Sequence, residues 1–243
     1  MEILLTGGSK GIGFSILKKL LKEEHKVTVV SRSDDLIKYK WPINILKCDL
    51  SNINEVEILC NKIKNQHFDV LINNAGGSIP IKLEELSVEQ INEDINLNLI
   101  APLMLIKTVI PNMKASNFGR IINISSISSK RGTPYLFTYS AAKAGLNSLT
   151  QSISRYLGEN DITVNSICPG GVDTKMSVLG RKKISNIMGL ACDDYQNNMI
   201  KEIGMNRLIK CEEIAELIMY LINKKTSYIS GQSINVCGTL EVI

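Results

Sequence analysis

Short apolar runs at residues 3–5, 27–30, 43–46, 68–72, 121–124, 164–168 and 233–236 punctuate this chain. Runs this brief, bounded by glycine and polar residues, predict strands. Between them, apolar residues recur every three or four positions, the spacing of one face of a helix. Such helices are predicted after the first strand (Ile16, Leu17, Leu20, Leu21), through Ala142, Leu146, Leu149, Ile153 and Leu157, and over 212–222. A longer helix is expected over about 88–115. From 97 to 110 it is apolar almost all round, which implies cover on two sides, by the sheet and by a partner subunit. Pro102 lies inside it and has no N–H to give the carbonyl of Asn98, so a kink is expected near 96–98. Residues 175–206 carry only a weak pattern, with Gly180, Gly189 and Gly204 as hinges, and are expected to form a lid. Strands and helices alternate with no linker or repeat. The expectation is one α/β domain spanning 1–243: a doubly wound parallel sheet of about seven strands with helices on both faces.

Composition narrows the functions this fold could serve. A 243-residue chain with 44% hydrophobic residues can bury a substantial core. Its net charge of +4 comes from scattered lysines, with one Trp, four Phe and seven Tyr for stacking, which argues against a nucleic-acid partner. No basic leader precedes the first strand, and no apolar run of about 18 residues is free of polar interruption. A cytoplasmic protein without a membrane span is expected. The six cysteines form no CxxC pair and His25 lies far from His67, so no metal site or disulfide framework is expected.

The candidate chemistry sits at strand ends. The first strand runs through Thr6-Gly7-Gly8-Ser9-Lys10-Gly11-Ile12-Gly13 into a helix, the setting in which glycines admit a pyrophosphate to a helix N-terminus. The second strand ends at Ser31-Arg32-Ser33. An acid there would accept from a ribose 2′-OH, whereas Arg32, with Lys10 nearby, suits a 2′-phosphate and favours NADP(H) over NAD(H). Asp34 or Asp35 reaching back would reverse that preference. Asp49, beside Leu50, is placed either to accept from an adenine amine or to cap the helix starting near Asn52. The fourth strand ends in the small residues Asn73-Asn74-Ala75-Gly76-Gly77. The kink makes Asn96 a candidate for holding a water, and Ser126 closes the fifth strand. Tyr139 and Lys143 stand one helical turn apart, so the ammonium should favour the phenolate and bring the phenol's pKa down from about 10.

Together, Thr6-Gly7-x-x-x-Gly11-Ile12-Gly13, Asn73-Asn74-Ala75-Gly76, Asn96, Ser126 and Tyr139-x-x-x-Lys143 resemble the short-chain dehydrogenase/reductase family, in particular its 3-oxoacyl-[acyl-carrier-protein] reductases. Pro169-Gly170 and Tyr228-Ile229-Ser230-Gly231-Gln232 extend the likeness to about Gly238. The resemblance implies a Rossmann-type sheet and NADPH-dependent reduction of a ketone on a small or carrier-linked substrate. It makes Tyr139 the proton donor, Lys143 its electrostatic helper and a ligand of the nicotinamide ribose, Ser126 a donor to the substrate oxygen, and Asn96 the anchor of a water relay. The dinucleotide would be held by Gly7, Ser9, Lys10, Gly11, Ile12, Gly13, Arg32, Asp49, Leu50, Asn74, Ala75, Gly76, Tyr139, Lys143, Pro169, Gly170, Val172 and Thr174. A homo-oligomer, tetramer or dimer, is implied as well. The rivals are an NAD-linked sugar, polyol or secondary-metabolite dehydrogenase and a non-catalytic dinucleotide sensor. Two departures stand out: Cys237-Gly238-Thr239 replaces the family's C-terminal motif, and the 174–207 segment is longer than in the 3-oxoacyl reductases.

Overall fold

All seven apolar runs become strands of one sheet. In the computed structural model, which describes residues 1–242, these are β1 (Glu2–Thr6), β2 (Lys26–Ser31), β3 (Ile43–Lys47), β4 (Val70–Asn73), β5 (Gly119–Ile124), β6 (Ile162–Pro169) and β7 (Ser233–Val236). They pair in parallel in the order β3-β2-β1-β4-β5-β6-β7. The order reverses between β1 and β4, and the strand ends there frame the crevice where such sheets take ligands. The helices are α1 (Gly11–Lys22), α2 (Ile53–Ile63), α3 (Val88–Ile95), α4 (Ala101–Ser116), α5 (Phe137–Tyr156), α6 (Lys175–Met188), α7 (Cys192–Lys201) and α8 (Cys211–Ile222).

Side-chain alternation along the strands feeds two cores. Ile3 and Leu5 of β1, Val70 and Ile72 of β4, and Ile122 and Ile124 of β5 pack under α1 and α8. Leu4, Leu71 and Ile121 project the other way, against α2 and α4. A strand buried on both faces reads as a continuous apolar run, which is why the sequence pattern was unbroken there. Each such Leu or Ile contributes about 1.5–3 kcal/mol on burial.

Three segments depart from expectation. The 88–115 stretch is not one kinked helix: α3 ends at Ile95, a π-helical turn occupies Asn96–Ile100, and α4 follows. Within the turn the Ala101 N–H reaches back five residues to the Asn96 carbonyl. Pro102 then sits at the start of α4, where a missing N–H costs little. Among the described residues, Val88–Ser116 is the one run long and apolar enough to cross a membrane; here Leu105, Val109 and Met113 are packed into the core.

Residues 175–206 are not a loop but the helices α6 and α7. The Thr174 hydroxyl caps α6 by accepting from the Ser177 N–H at 3.1 Å, and Gly189 (φ +70°) ends it in the left-handed region. The buried face of α6 comprises Arg181, Ile184 and Ser185, so the apolar periodicity that announces a helix is missing.

Finally, β2 passes to β3 with one 3-10 turn, Ile37–Tyr39, where a crossover helix is usual. Aromatic rings fill that place. Tyr39 stacks on Trp41 at 4.5 Å between centroids, and Phe14 of α1 lies 5.4 and 5.5 Å from the two rings.

Candidate active site

Packing, more than ligand access, dictates the glycine turn. Gly7 (φ +72°) and Gly11 (φ +51°) adopt left-handed backbone that L side chains resist. A Cβ on Gly13 would lie 2.1 Å from the Gly7 carbonyl oxygen, so α1 approaches β1 this closely only with glycine there. Lys10 ends the turn without a side-chain cap, and the first turn of α1 has no acid, which leaves its N–H groups open toward the crevice. Ser9 and Ile12 complete the turn.

Thr6 and Asn74 tie this turn to the end of β4. The Thr6 hydroxyl accepts from the N–H groups of Asn74 and Ala75, both at 2.9 Å. The Asn74 amide donates to the carbonyls of Thr6 (2.9 Å) and Gly7 (3.0 Å). Asn73 donates to Asn123 at 2.9 Å, which donates to Thr150 on α5 at 3.0 Å, a buried polar strut under the crevice.

At the β2 end, Arg32 lies 3.8 Å from Asp49 and Lys10 lies 3.7 Å from Asp35, both on the surface. Asp49 is not the cap of α2. That role belongs to Asn52, whose side chain accepts from the Asn54 N–H. The Asp49 carboxylate instead accepts from the N–H and hydroxyl of Ser51 (3.0 and 2.8 Å). Burial works against its charge, yet the Ser51 bonds and the Arg32 cation hold it below the usual carboxylate range. Leu50 is buried beside it.

Tyr139 lies in the first turn of α5 and Lys143 one turn on, against the end of β5. The Lys143 Nζ donates to the Ile124 carbonyl at 2.8 Å and stands 5.6 Å from the Tyr139 ring centre. The Ser125 hydroxyl donates to the Lys143 carbonyl at 3.2 Å, pinning helix to strand. Ser126 accepts from the Ser128 N–H at 3.1 Å and shares a hydrogen bond with the Tyr139 phenol.

The phenol's pKa departs from expectation. Burial raises it above its ordinary value, the Ser126 hydrogen bond pulls it partly back, and Cys168 adds to the rise. Desolvation of the phenolate therefore outweighs the Ser126 hydrogen bond, and the expected lowering by the Lys143 ammonium is not among the influences that set the shift. Lys143 itself is lowered to about 8, because burial penalises its charge; Cys168 opposes this only in part.

A stability consequence follows from that value. Between about pH 8 and the ordinary lysine value of 10.5, the native state binds fewer protons at Lys143 than the unfolded chain does. Stability contributed by this group therefore rises with pH across that window, and below it the burial penalty is constant. Urea denaturation of the parent and of Lys143→Met at several pH values up to about 10 should show the parent gaining on the variant. A parallel pH dependence in the two would refute the shift.

Asn96 is the one catalytic candidate the fold sends elsewhere. Its amide donates to the Ser51 carbonyl at 3.1 Å, on the Asp49 side of the crevice. Asn98, fully buried in the same π-helical turn, stands beside the ammonium instead. Its amide donates to the carbonyls of Gly77 and Asp94, both at 2.9 Å, and its oxygen accepts from the Gly77 N–H at 3.1 Å. Gly76 is wedged between them: a Cβ there would lie 2.8 Å from the Asn98 Oδ1 and 2.9 Å from the Lys143 Nζ. Asp94, also missed, is a buried carboxylate that accepts from Ser78 at 2.8 Å and from Thr138, the neighbour of Tyr139.

Pro169 closes β6. Gly170 donates to the Val236 carbonyl at 2.9 Å, and Val172 bridges to Ile209. Thr174 approaches the glycine turn, its methyl 3.2 Å from where a Gly11 Cβ would stand. The crevice thus gathers the glycine turn, the β4 end, Ser126, Tyr139, Lys143 and the 169–174 segment on one edge of the sheet, with Asn98 in place of Asn96.

Comparison with known proteins points the same way. The short chain dehydrogenase family profile matches residues 2–184. An acetoacetyl-CoA reductase from Shinella zoogloeoides is 32% identical, over 97% of this chain and 96% of its own length. The 3-oxoacyl-[acyl-carrier-protein] reductase MabA of Mycobacterium avium is 31% identical, over 98% and 88%. Among solved structures, a variant of actinorhodin polyketide ketoreductase with NADPH superposes with a TM-score of 0.89 at 30% identity, covering 98% of this chain and 96% of that one.

Proposed function

The chain belongs to the short chain dehydrogenase family, and from that premise we propose that it reduces the ketone of a 3-oxoacyl-type substrate to a secondary alcohol with NADPH. The observation that carries this reading is the convergence of a phenol, a buried lysine and a serine hydroxyl on the mouth of the glycine-lined crevice. Bound there, NADPH supplies the hydride.

The fit for the dinucleotide rests on the cradle itself: uncapped N–H groups at the start of α1, held at the crevice by glycines that let α1 close on β1. Arg32 and Lys10 suit the 2′-phosphate. Their present carboxylate partners are exposed and at 3.7–3.8 Å, pairs worth under about 1 kcal/mol, so exchange for a dianion is easy.

In the proposed reaction Tyr139 gives its phenolic proton to the carbonyl oxygen. A phenol held above its ordinary pKa is protonated at neutral pH, as a donor must be. Ser126 donates a hydrogen bond to the same oxygen, where negative charge develops in the transition state. Lys143 places positive charge one turn away to support the phenolate left behind. Asn98 holds Gly76–Gly77 against the lysine and takes the water-holding role once assigned to Asn96.

A homo-oligomer, dimer or tetramer, working in the cytoplasm belongs to the same reading. Leu103, Met104 and Ile110 of α4 remain only half-buried, and all six cysteines are free thiols. Light scattering on the purified protein reads the oligomeric state directly.

The experiment is an assay of NADPH and NADH oxidation against a panel of 3-oxoacyl thioesters. NADPH should give the higher kcat/KM, and Arg32→Ala should shrink that preference about ten-fold, the worth of one hydrogen bond to a charged group. Preference for NADH in the parent would overturn the cofactor assignment; silence toward every ketone would overturn the reaction.

A further inference from the structure

Helix α6 holds four cations, Lys175, Arg181, Lys182 and Lys183, and no acid. One helix thus concentrates as much charge as the net +4 of the whole chain. Arg181 turns inward, to Ser177 and Gln196. Lys182 and Lys183 face an open cleft of about 550 Å³ between α6 and the turn at 82–85, which Lys82, Glu85, Leu179 and Ile187 also line. Glu85 is 3.9 Å from Lys82 and offsets it. Among the described residues, no carboxylate lies within ion-pair distance of Lys182 or Lys183.

The face of α6 that lines the cleft runs back toward the candidate active site. Gly76 touches Lys143 and Asn98, and Gly77 packs against the Met176 sulfur in the first turn of α6. Met176, Leu179 and Lys183 follow one another along one face of α6, so the lysines lie about 10 Å beyond Met176. The bank between, on α6, is apolar and open: Met176 and Leu179 are 61% and 68% exposed. A path that is apolar near the reacting centre and cationic at its outer end fits a ligand with an anion at the far end of a slender arm.

We propose that Lys182, Lys183 and Lys82 form a subsite for the phosphate of a pantetheine arm that carries the 3-oxoacyl group as a thioester. The assignment rests on the reductase reading above. It adds a site distinct from the catalytic one, whose ligand chemistry is shared by coenzyme A and by a carrier protein's prosthetic arm. Exposed cations attract the phosphate's negative charge weakly one by one and usefully together, Lys82 less than the other two because Glu85 offsets it, and salt weakens the attraction.

The test compares acetoacetyl-pantetheine, which has no phosphate, with acetoacetyl-4′-phosphopantetheine, acetoacetyl-CoA and an acetoacetyl carrier protein. The parent should favour phosphopantetheine over pantetheine by about ten-fold in kcat/KM at low salt. In Lys82→Ala/Lys182→Ala/Lys183→Ala that ratio should fall toward one, and the charge reversal Lys182→Glu/Lys183→Glu should carry it below one. A further gain with the carrier protein would identify the protein-borne arm as the source, and equal rates with CoA would identify the shared phosphate. A parent ratio near one, a ratio that survives the triple substitution, or a gain seen only with CoA refutes the subsite while leaving the reductase reading intact. No turnover with any thioester, while other ketones are reduced, overturns the thioester assignment and the subsite with it.

Discussion

Tyr139→Phe should abolish carbonyl reduction while leaving NADPH binding near that of the parent. The substitution removes one oxygen and keeps the ring, so the ring's contacts with α5 and its position 5.6 Å from the Lys143 Nζ survive. Lys143 keeps its bond to the Ile124 carbonyl, and neither the glycine turn nor the Asn74 ties depend on the phenol. What disappears is the proposed proton donor. Losing a positioned general acid costs about 10²–10⁴-fold, and the carbonyl oxygen is left with the Ser126 hydroxyl as its one proposed donor. Steady-state rates and a fluorescence titration with NADPH separate the two effects. Activity retained within ten-fold of the parent would mean that another group gives the proton.

Gly13→Ala is the second large effect, and it acts on the fold. The added Cβ would stand 2.1 Å from the Gly7 carbonyl oxygen and 2.5 Å from the Asn74 amide nitrogen. The first neighbour is backbone, so no rotamer change relieves it. The second is the amide that joins β4 to the turn through the Thr6 and Gly7 carbonyls. Relief requires α1 to move off β1, which loosens the fully buried Ile16, Leu17 and Leu20. A loss of about 3 kcal/mol or more is expected, with dinucleotide binding lost as well. Gly132→Ala is the control: nothing lies within 4 Å of its Cβ position, and its effect should stay within about 0.5 kcal/mol. Chemical denaturation of the three proteins checks this; a Gly13→Ala protein as stable as the control would show that the turn can open.

The two asparagines show how far local pattern reaches. Asn96 and Asn98 lie two residues apart in a helical run, which turns their side chains about 200° from each other. Spacing alone does not say which faces the ammonium. Once the π-helical turn is formed, Asn96 reaches Ser51 and Asn98 reaches Gly77. The 175–206 segment teaches the same lesson in another form. Its α6 buries Arg181 and Ser185 where other helices bury leucine, so a method that looks for apolar stripes sees none. Against these stands Tyr139-x-x-x-Lys143, whose geometry is set by one helical turn and whose strand-end setting was announced by the apolar run of β5.

What the chain's own order determined are the things made by neighbours in sequence: seven strands, the helices with regular apolar stripes, the glycine turn after β1, and a phenol and ammonium one turn apart. Period and turn chemistry act over a few residues, so they are readable there. Only the tertiary structure decided which asparagine stands by the lysine, that burial lifts the Tyr139 phenol, and that Lys182 and Lys183 face one cleft with Lys82. Each of these depends on desolvation and contact between segments tens of residues apart, and those forces have no counterpart in local spacing.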